Sequence, residues 1–435
     1  MEPSEGTDHG PVGAGKLHGV DEPLPPAGSP TSGLISATAS MVAFKILSAG
    51  AVGVVGVITA RRLEPAGRGV FVLLVTMASF GVLLSSLGVN MSARLHLVTP
   101  VNRIPSGDYL GLSAVLTGVQ VLMCVALSLT LLPAVDVRLS MVDMGLFGVL
   151  GAAMFAQYML NDALNAYGFT TLATKVELTG SVMQLSLVVM LAAAGEESVM
   201  PFIAALAAAS AGQAVLGVAM LRRAGIQVRP TADVASWRRL LRNGLPAIPT
   251  ALGQVLTFRA DRYLVGLFMN PAAVGVYSVA ATAPELLRLP ALALSQPMLY
   301  RLASGRARIR DFKRIRFFLL AATVVSAATV AALAPMAVRV VFGAEYTAAV
   351  TPLRILLLGE VGIAVFYLDG SALAGSNRIR DAALAAVAGL AIVAALDLLL
   401  IQRFELAGAA WASVAAYSVM GAVAAVLLRR VHRAA

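Results

Sequence analysis

The residues of this sequence that could do chemistry are charged side chains inside long apolar stretches. The densest group comprises Arg259, Asp261, Arg262, Glu285 and Arg288. Arg259 and Arg262 are three positions apart and share one face of a helix, where two guanidinium groups can bind an anion with bidentate hydrogen bonds. Lys45 adds a cation in the first apolar stretch. We therefore expect Lys45 and these arginines to line a cavity that binds an anionic group.

The same charges can also neutralise one another. Asp261 lies beside the two arginines, and Glu285 is one turn from Arg288. Charges inside a membrane are costly, and mutual pairing offsets part of that cost. The sequence leaves both interpretations open for this group. For Arg354 and Glu360, which are six positions apart, a structural role is the better interpretation.

A second polar group lies in the stretch "QYMLNDALNAYG". Asn161 and Asn165 are four positions apart on one helical face, and Asp162 lies between them. Such a face can hydrogen-bond sugar hydroxyls in a cavity, although polar side chains also hold membrane helices together. A carboxylate inside a membrane can take up a proton or a sodium ion during transport. Asp162, Asp369 and Asp397 are the ion-coupling candidates, and we expect no other cofactor.

The composition requires that these residues be positioned by membrane helices. Of the 435 residues, 58% are hydrophobic and 13% are charged, which is too apolar for soluble cores. The apolar stretches reach the roughly 20 residues that a helix needs to cross a bilayer. They predict twelve spans, near residues 37–60, 69–91, 109–132, 143–166, 171–194, 199–221, 243–268, 274–300, 316–341, 348–373, 381–401 and 406–428. A single cysteine, Cys124, and four scattered histidines predict no metal site.

The net charge of +10 reflects basic loops, and we expect no nucleic-acid partner. Two large basic clusters, at 222–242 and 301–316, fall on the same side if the N-terminus is inside, so both termini are predicted to be cytoplasmic. Arg61, Arg62 and Arg68, counted as external, favour the opposite orientation locally and are outweighed. Both clusters also contain aromatic residues, which predicts amphipathic stretches on anionic membrane lipids.

Two short phrases, "LEPAGRGVF" at 63–71 and "MNPAAVGVY" at 269–277, share the order Pro, Ala, Gly, Val and aromatic. Each precedes a predicted span, and six spans separate them, so both have the same orientation. This is the pattern of a parallel repeat of two six-helix lobes. The proline of each phrase suits the first turn of a helix, and the glycine permits close helix approach.

Four segments resemble the polysaccharide-exporter branch of the MATE-like, or MOP, superfamily, whose members include Wzx-like flippases of O-antigen and exopolysaccharide. They are "LEPAGRGVFVLLVTMASFGVLLSSLGV", "RADRYLVGLFMNPAAVGVYSVAATAPELLRLP", "VFGAEYTAAVTPLRILLLGEVGIAVFYLDGSALAGSNR" and "ELAGAAWASVAAYSVMGAV". The resemblance covers spans 1–2 and 7–12 well and spans 3–6 poorly. It implies two lobes around a central cavity that flips a polyprenyl-pyrophosphate-linked oligosaccharide across the cytoplasmic membrane by alternating access.

The predicted organisation is a disordered tail at 1–33, an N-terminal lobe at 34–223, a basic loop at 224–242, and a C-terminal lobe with a short tail at 243–435. The rival function is a MATE-type exporter of drugs or organic cations, and the charges of the spans do not decide between the two. We expect no enzyme activity, because the loops are short and carry no catalytic motif. Polysaccharide assembly enzymes are candidate partners of the basic loops.

Overall fold

The computed structural model describes residues 31–97, 103–303, 313–376 and 378–434, and the predicted tail at 1–33 lies almost entirely outside them. Within these ranges the chain forms thirteen α-helices. They are α1 (Thr31–Ser85), α2 (Val89–His96), α3 (Ser106–Thr130), α4 (Met141–Ala166), α5 (Thr170–Ala193), α6 (Val199–Arg223), α7 (Val234–Gly244), α8 (Ile248–Phe268), α9 (Pro271–Leu287), α10 (Leu289–Ala303), α11 (Lys313–Ala337), α12 (Val350–Gly375) and α13 (Ile379–Ala434).

These helices account for twelve membrane spans. Among the described residues, eight helical stretches are long and apolar enough to cross a membrane. Two of these, Ala43–Ser85 and Arg380–Val431, bend sharply at a glutamate and supply two spans each. The helix α8, which carries three charged residues, forms the seventh span. The helices α9 and α10 together form the eighth, which brings the number to twelve. The prediction of an all-α fold with two six-helix lobes is confirmed.

A new helix begins within each of the two repeated phrases, as the sequence predicted. In α1 the chain reverses at Glu64, whose φ of 54° and ψ of 175° separate segment α1a (31–63) from segment α1b (65–85). At the second phrase, the Asn270 side chain accepts a hydrogen bond from the backbone of Ala273 and caps α9. Proline follows directly in both cases, because its missing N–H is unused in the first turn.

The two repeated phrases touch each other across the lobes. A Cβ atom added to Gly69 would lie 1.6 Å from the carbonyl oxygen of Pro271, and one added to Gly275 would lie 2.0 Å from that of Pro65. Only glycine permits such close backbone approach. The contact is reciprocal, as expected of two copies related by a pseudo-twofold axis. We call it the glycine clasp, and the end of the molecule that holds it the clasp end.

The apolar core is shared by the lobes at the clasp end only. There, one cluster contains side chains of both lobes, including Phe71 and Phe202 from the first and Val265 and Tyr277 from the second. Towards the opposite end, the first lobe has its own cluster within residues 82–241, and the second lobe has another within residues 298–428. The lobes therefore diverge towards the end that carries the basic loops, which we call the basic end. The space between them is the cleft.

The chain that joins the lobes forms a helix within the predicted basic loop. Asp233 caps α7 by accepting hydrogen bonds from the backbone of Ala235 and Ser236, and its bonds to Ser236 hold its pKa below the usual range. Leu240 is buried in the core of the first lobe, and the indole N–H of Trp237 donates to the carbonyl of Asp108 at 2.9 Å. Part of the apolar face of α7 thus packs on the first lobe.

Candidate substrate site in the cleft

The inter-lobe face of α8 carries the predicted arginines. Gly266 on this helix faces Leu73 of α1b, because an added Cβ atom would lie 3.4 Å from that side chain. Arg259 precedes Gly266 by seven positions, or two helical turns, and therefore lies on the same face, nearer the basic end. At this depth the lobes have begun to diverge, so Arg259 borders the cleft.

Arg259 is the least compensated member of the predicted group. Its side chain is half-buried, and within the described residues its guanidinium makes neither an ion pair nor a hydrogen bond. Asp261, Arg262, Glu285 and Arg288 are near enough to act on its charge, but in the described part of the chain none of them forms a hydrogen bond or an ion pair with it. The positive charge of Arg259 is therefore available to a ligand.

Arg262 and Asp261 are already engaged by neighbouring helices. The Arg262 guanidinium, 9% exposed, forms an ion pair with Glu285 of α9. Asp261 accepts hydrogen bonds from its neighbour's backbone N–H at 2.8 Å and from the hydroxyl of Tyr277 at 2.9 Å. The neutralising pairs that the sequence allowed are thus present at these positions, although Glu285 is paired with Arg262 rather than with Arg288.

Arg288 lies at a break in the eighth span. The predicted span at 274–300 is divided at Arg288 into α9 and α10, between Pro284 and Pro290. The guanidinium of Arg288 forms an ion pair with the fully buried Glu360 of α12 at 2.7 Å. It also lies over the rings of Phe258 and Tyr417. These contacts pin the break to the body of the second lobe.

The ion-coupling candidate Asp397 has the least satisfied carboxylate. It is fully buried on α13, and among the described residues neither of its carboxylate oxygens has a hydrogen-bond partner. Asp261 and Tyr277 are close enough to interact with it electrostatically, and the buried Ser413 lies beside Tyr277. A carboxylate in such surroundings needs a proton or a cation.

The other two ion-coupling candidates have arginine partners near the basic end. Asp369 pairs with Arg316 at 2.8 Å, and Asp162 pairs with Arg94 of α2 at 2.6 Å. One oxygen of each carboxylate remains buried without a donor among the described residues. Both carboxylates are therefore partly compensated, whereas Asp397 is not.

The candidates in the first lobe lie apart from the arginine group. Lys45 pairs with Glu177 of α5 at 3.4 Å, and both side chains are more than one-third exposed. The amide of Asn165 donates to the backbone carbonyl of Asn161 at 2.9 Å. The side-chain oxygen of Asn161 is buried without a partner among the described residues.

Arg68 is a buried residue that sequence reasoning placed in an external loop. The structure corrects this, because α1b begins at Pro65 and Arg68 lies in its first turn, 8% exposed. The repeat could have revealed this position. Aligning Pro65 with Pro271 aligns Arg68 with Val274, which precedes a clasp glycine inside a helix.

Comparisons with known proteins agree with this architecture. Residues 150–351 match the model of a family described as polysaccharide biosynthesis protein. The curated proteins contain no sequence match to the chain.

Several solved structures have the same fold. One is the lipid II flippase MurJ in an inward closed conformation, with a TM-score of 0.71, 14% identity, and coverage of 91% of this chain and 87% of that chain. Another is a mutant of the Vibrio cholerae MATE transporter VcmN, with a TM-score of 0.68, 15% identity, and coverage of 93% and 98%. A third is an inward-facing multidrug resistance MATE family transporter of the MOP superfamily, with a TM-score of 0.66, 12% identity, and coverage of 91% and 98%.

The chain therefore has the fold of these solved structures, a multi-pass α-helical membrane fold of MATE-like architecture. The family match and the shared fold agree with the resemblance that the four sequence segments show.

Proposed function

We propose that the protein flips a polyprenyl-pyrophosphate-linked oligosaccharide across the cytoplasmic membrane by alternating access. The observation that carries the proposal is the uncompensated Arg259 on the cleft face of α8. A pyrophosphate linkage is the part of such a substrate that a guanidinium binds most strongly, through charge-assisted bidentate hydrogen bonds. The family match and the fold shared with the lipid II flippase MurJ support the same class of substrate.

The charge of the cleft favours this function over export of organic cations. A cation-binding cleft needs an accessible carboxylate that is free to pair with the ligand, and Asp397, although unpartnered, is fully buried. Here Glu285 pairs with Arg262, Glu360 pairs with Arg288, and Asp261 accepts the Tyr277 hydroxyl. A ligand entering the cleft therefore meets a net positive side chain in Arg259.

The open end of the cleft supports loading from the cytoplasmic side. The lobes diverge towards the basic end, where Arg222, Arg223, Arg238 and Arg242 are exposed. The positive-inside rule assigns this end to the cytoplasm, and its arginines attract anionic lipid headgroups. The substrate then enters from the cytoplasmic leaflet, with its pyrophosphate at Arg259 and its sugars towards Asn161 and Asn165. Rocking of the lobes, which would close the basic end and open the clasp end, would transfer it outward.

Asp397 couples an ion to this movement. The proposal rests on its two unpartnered oxygens beside Asp261 and Tyr277, which make it a better candidate than Asp162 or Asp369. Proton or sodium binding would neutralise the carboxylate in one orientation of the lobes. Release in the other orientation would link the ion gradient to transport.

The test is the rate of flipping in proteoliposomes that contain a fluorescent polyprenyl-pyrophosphate-linked oligosaccharide. Arg259→Gln removes the free cation without leaving a carboxylate unpaired. We expect at least a tenfold loss of flipping, because a charge-assisted bidentate contact contributes roughly 1.5–3 kcal/mol. Arg262→Gln should also reduce flipping, and it would in addition leave Glu285 without its ion-pair partner.

The matched control is Arg354→Gln. Arg354 is also an arginine within a span of the second lobe, but it is exposed and donates to the carbonyl of Ala331 at 2.9 Å. This variant should flip substrate at the wild-type rate. Wild-type flipping by Arg259→Gln, with normal insertion and folding of both variants, would refute the proposed role of Arg259.

A further inference from the structure

Arg68 is a buried cation at the junction of the lobes. Its guanidinium donates to the hydroxyl of Thr59 in its own lobe and, at 3.4 Å, to the hydroxyl of Ser278 in the other lobe. Its Cζ atom lies 5.7 Å from the centre of the Phe71 ring. The side chain therefore spans the interface that closes the clasp end.

The charge of Arg68 has no carboxylate partner. Within the described residues it makes no ion pair, and its hydrogen-bond partners are neutral hydroxyl groups. Glu285 is near enough to act on it, but the carboxylate of Glu285 is already bonded to Arg262. Burying a cation without a counter-ion is unfavourable, so this arrangement persists only because the surrounding packing imposes it.

The glycine clasp provides that packing. Gly69 follows Arg68 directly and lies against the carbonyl of Pro271, while Ser278 is seven positions beyond that proline on the same helix. Separation of α1b from α9 would remove Ser278 and the cover over Arg68 together. The guanidinium would stay with Thr59 on the first lobe and face the opened cleft.

We propose that Arg68 is a second anion subsite, hidden while the clasp end is closed and exposed to the cleft when that end opens. Its ligand is a phosphate group, which under the proposed function is the pyrophosphate linkage passing from Arg259 towards the outer leaflet. In the closed form, the uncompensated charge of Arg68 favours separation of the lobes. An anion that binds the open form at Arg68 stabilises that form further.

The experiment measures the opening of the clasp end by electron–electron resonance between two nitroxide labels. Val142 in the first lobe and Phe404 in the second are 81% and 59% exposed at this end, and both can be labelled after Cys124→Ala removes the only cysteine. Inorganic pyrophosphate serves as the probe. We expect it to increase the long-distance population in the unsubstituted protein and in Arg68→Lys, which keeps the charge.

Arg68→Met keeps the length of the side chain and removes the charge. We expect its distance distribution to be shifted towards the short distance without pyrophosphate, and to be unchanged when pyrophosphate is added. Arg62→Met, which removes a charge from the same end of α1a outside the interface contacts, should respond as the unsubstituted protein does. A full pyrophosphate response in Arg68→Met would overturn the subsite, as would the absence of any response in the unsubstituted protein.

The same assay separates this proposal from the proposed function. If Arg259→Gln still flips the lipid-linked oligosaccharide while Arg68→Met abolishes the pyrophosphate response, the role of Arg259 fails and the Arg68 subsite stands. If Arg259→Gln blocks flipping while Arg68→Met responds normally to pyrophosphate, the cleft site stands and the Arg68 subsite fails.

Discussion

Glu285, Glu360 and Asp369 each lie against one arginine, and each pair joins a helix to another helix or to the break between α9 and α10. Pairs of this kind hold the second lobe together, because removing either member would leave a charge unsatisfied in a low-dielectric environment. Arg259 and Arg68 differ, since neither has an ion-pair partner among the described residues. An anionic ligand would therefore gain the most favourable binding free energy at these two residues.

The sequence predicted the group from Arg259 to Arg288 correctly as a neighbourhood, but it did not predict its pairing. Glu360 is 72 positions from Arg288 in sequence, and only the packing of α12 against α10 brings them together. The spacing of residues on one helix says which share a face, whereas the partner on another helix depends on the tertiary fold. Arg68 was missed for a related reason, because a one-residue turn at Glu64 leaves almost no loop to contain it.

At the residue scale, Asp397→Asn tests ion coupling. The amide cannot carry the negative charge that a proton or sodium ion would neutralise, so the flipping rate should no longer rise when an inward ion gradient is imposed. The measurement is flipping in proteoliposomes with and without a sodium or pH gradient.

The control for that variant is Asp136→Asn, at an exposed position with a φ of 56° that asparagine tolerates. It should keep whatever gradient dependence the wild type has. An Asp397→Asn protein with the same gradient dependence as the wild type would eliminate Asp397 as the coupling residue.

At the element scale, the two copies of the repeated phrase mark the internal repeat and also contact each other. The order of Pro, Ala, Gly, Val and aromatic predicted two equivalent helix starts, and the structure adds that their glycines pack against each other's prolines. The sequence could predict close approach of a helix at Gly69 and Gly275, but not that each would be the other's neighbour. The helix α7 is a second example, because its amphipathic pattern predicted an apolar face but not the surface against which that face packs.

The clasp makes Gly69→Ala a severe substitution. The new methyl group would lie 1.6 Å from the Pro271 carbonyl oxygen, so α1b and α9 must separate. Overpacking of this kind costs about 1–3 kcal/mol, and we expect a lower melting temperature in detergent and loss of the short distance between labels at Val142 and Phe404.

Gly118→Ala is the matched control for the clasp. Gly118 also lies within a membrane helix, α3, but an added Cβ atom would meet nothing within 4 Å. This variant should melt at or slightly above the wild-type temperature. Equal melting temperatures and label distances for Gly69→Ala and the wild type would show that the clasp does not hold the lobes.

At the scale of the whole molecule, the lengths of the apolar stretches were sufficient to predict twelve spans, and the two repeated phrases were sufficient to predict two lobes. The divergence of the lobes towards the basic end was not predictable, because the same apolar faces can pack in more than one arrangement of the lobes. One shared core at the clasp end and two separate cores beyond it define the arrangement seen here. It places the uncompensated Arg259 at the border of a cleft open towards the basic loops.

The most direct test compares two substrates in proteoliposomes of the purified wild-type protein. One preparation contains a fluorescent polyprenyl-pyrophosphate-linked oligosaccharide, and the other contains a fluorescent organic cation. We predict rapid transfer of the lipid-linked oligosaccharide between leaflets and movement of the organic cation no faster than in protein-free liposomes. Transport of the cation without flipping of the oligosaccharide would contradict the account and identify the protein as a cation exporter.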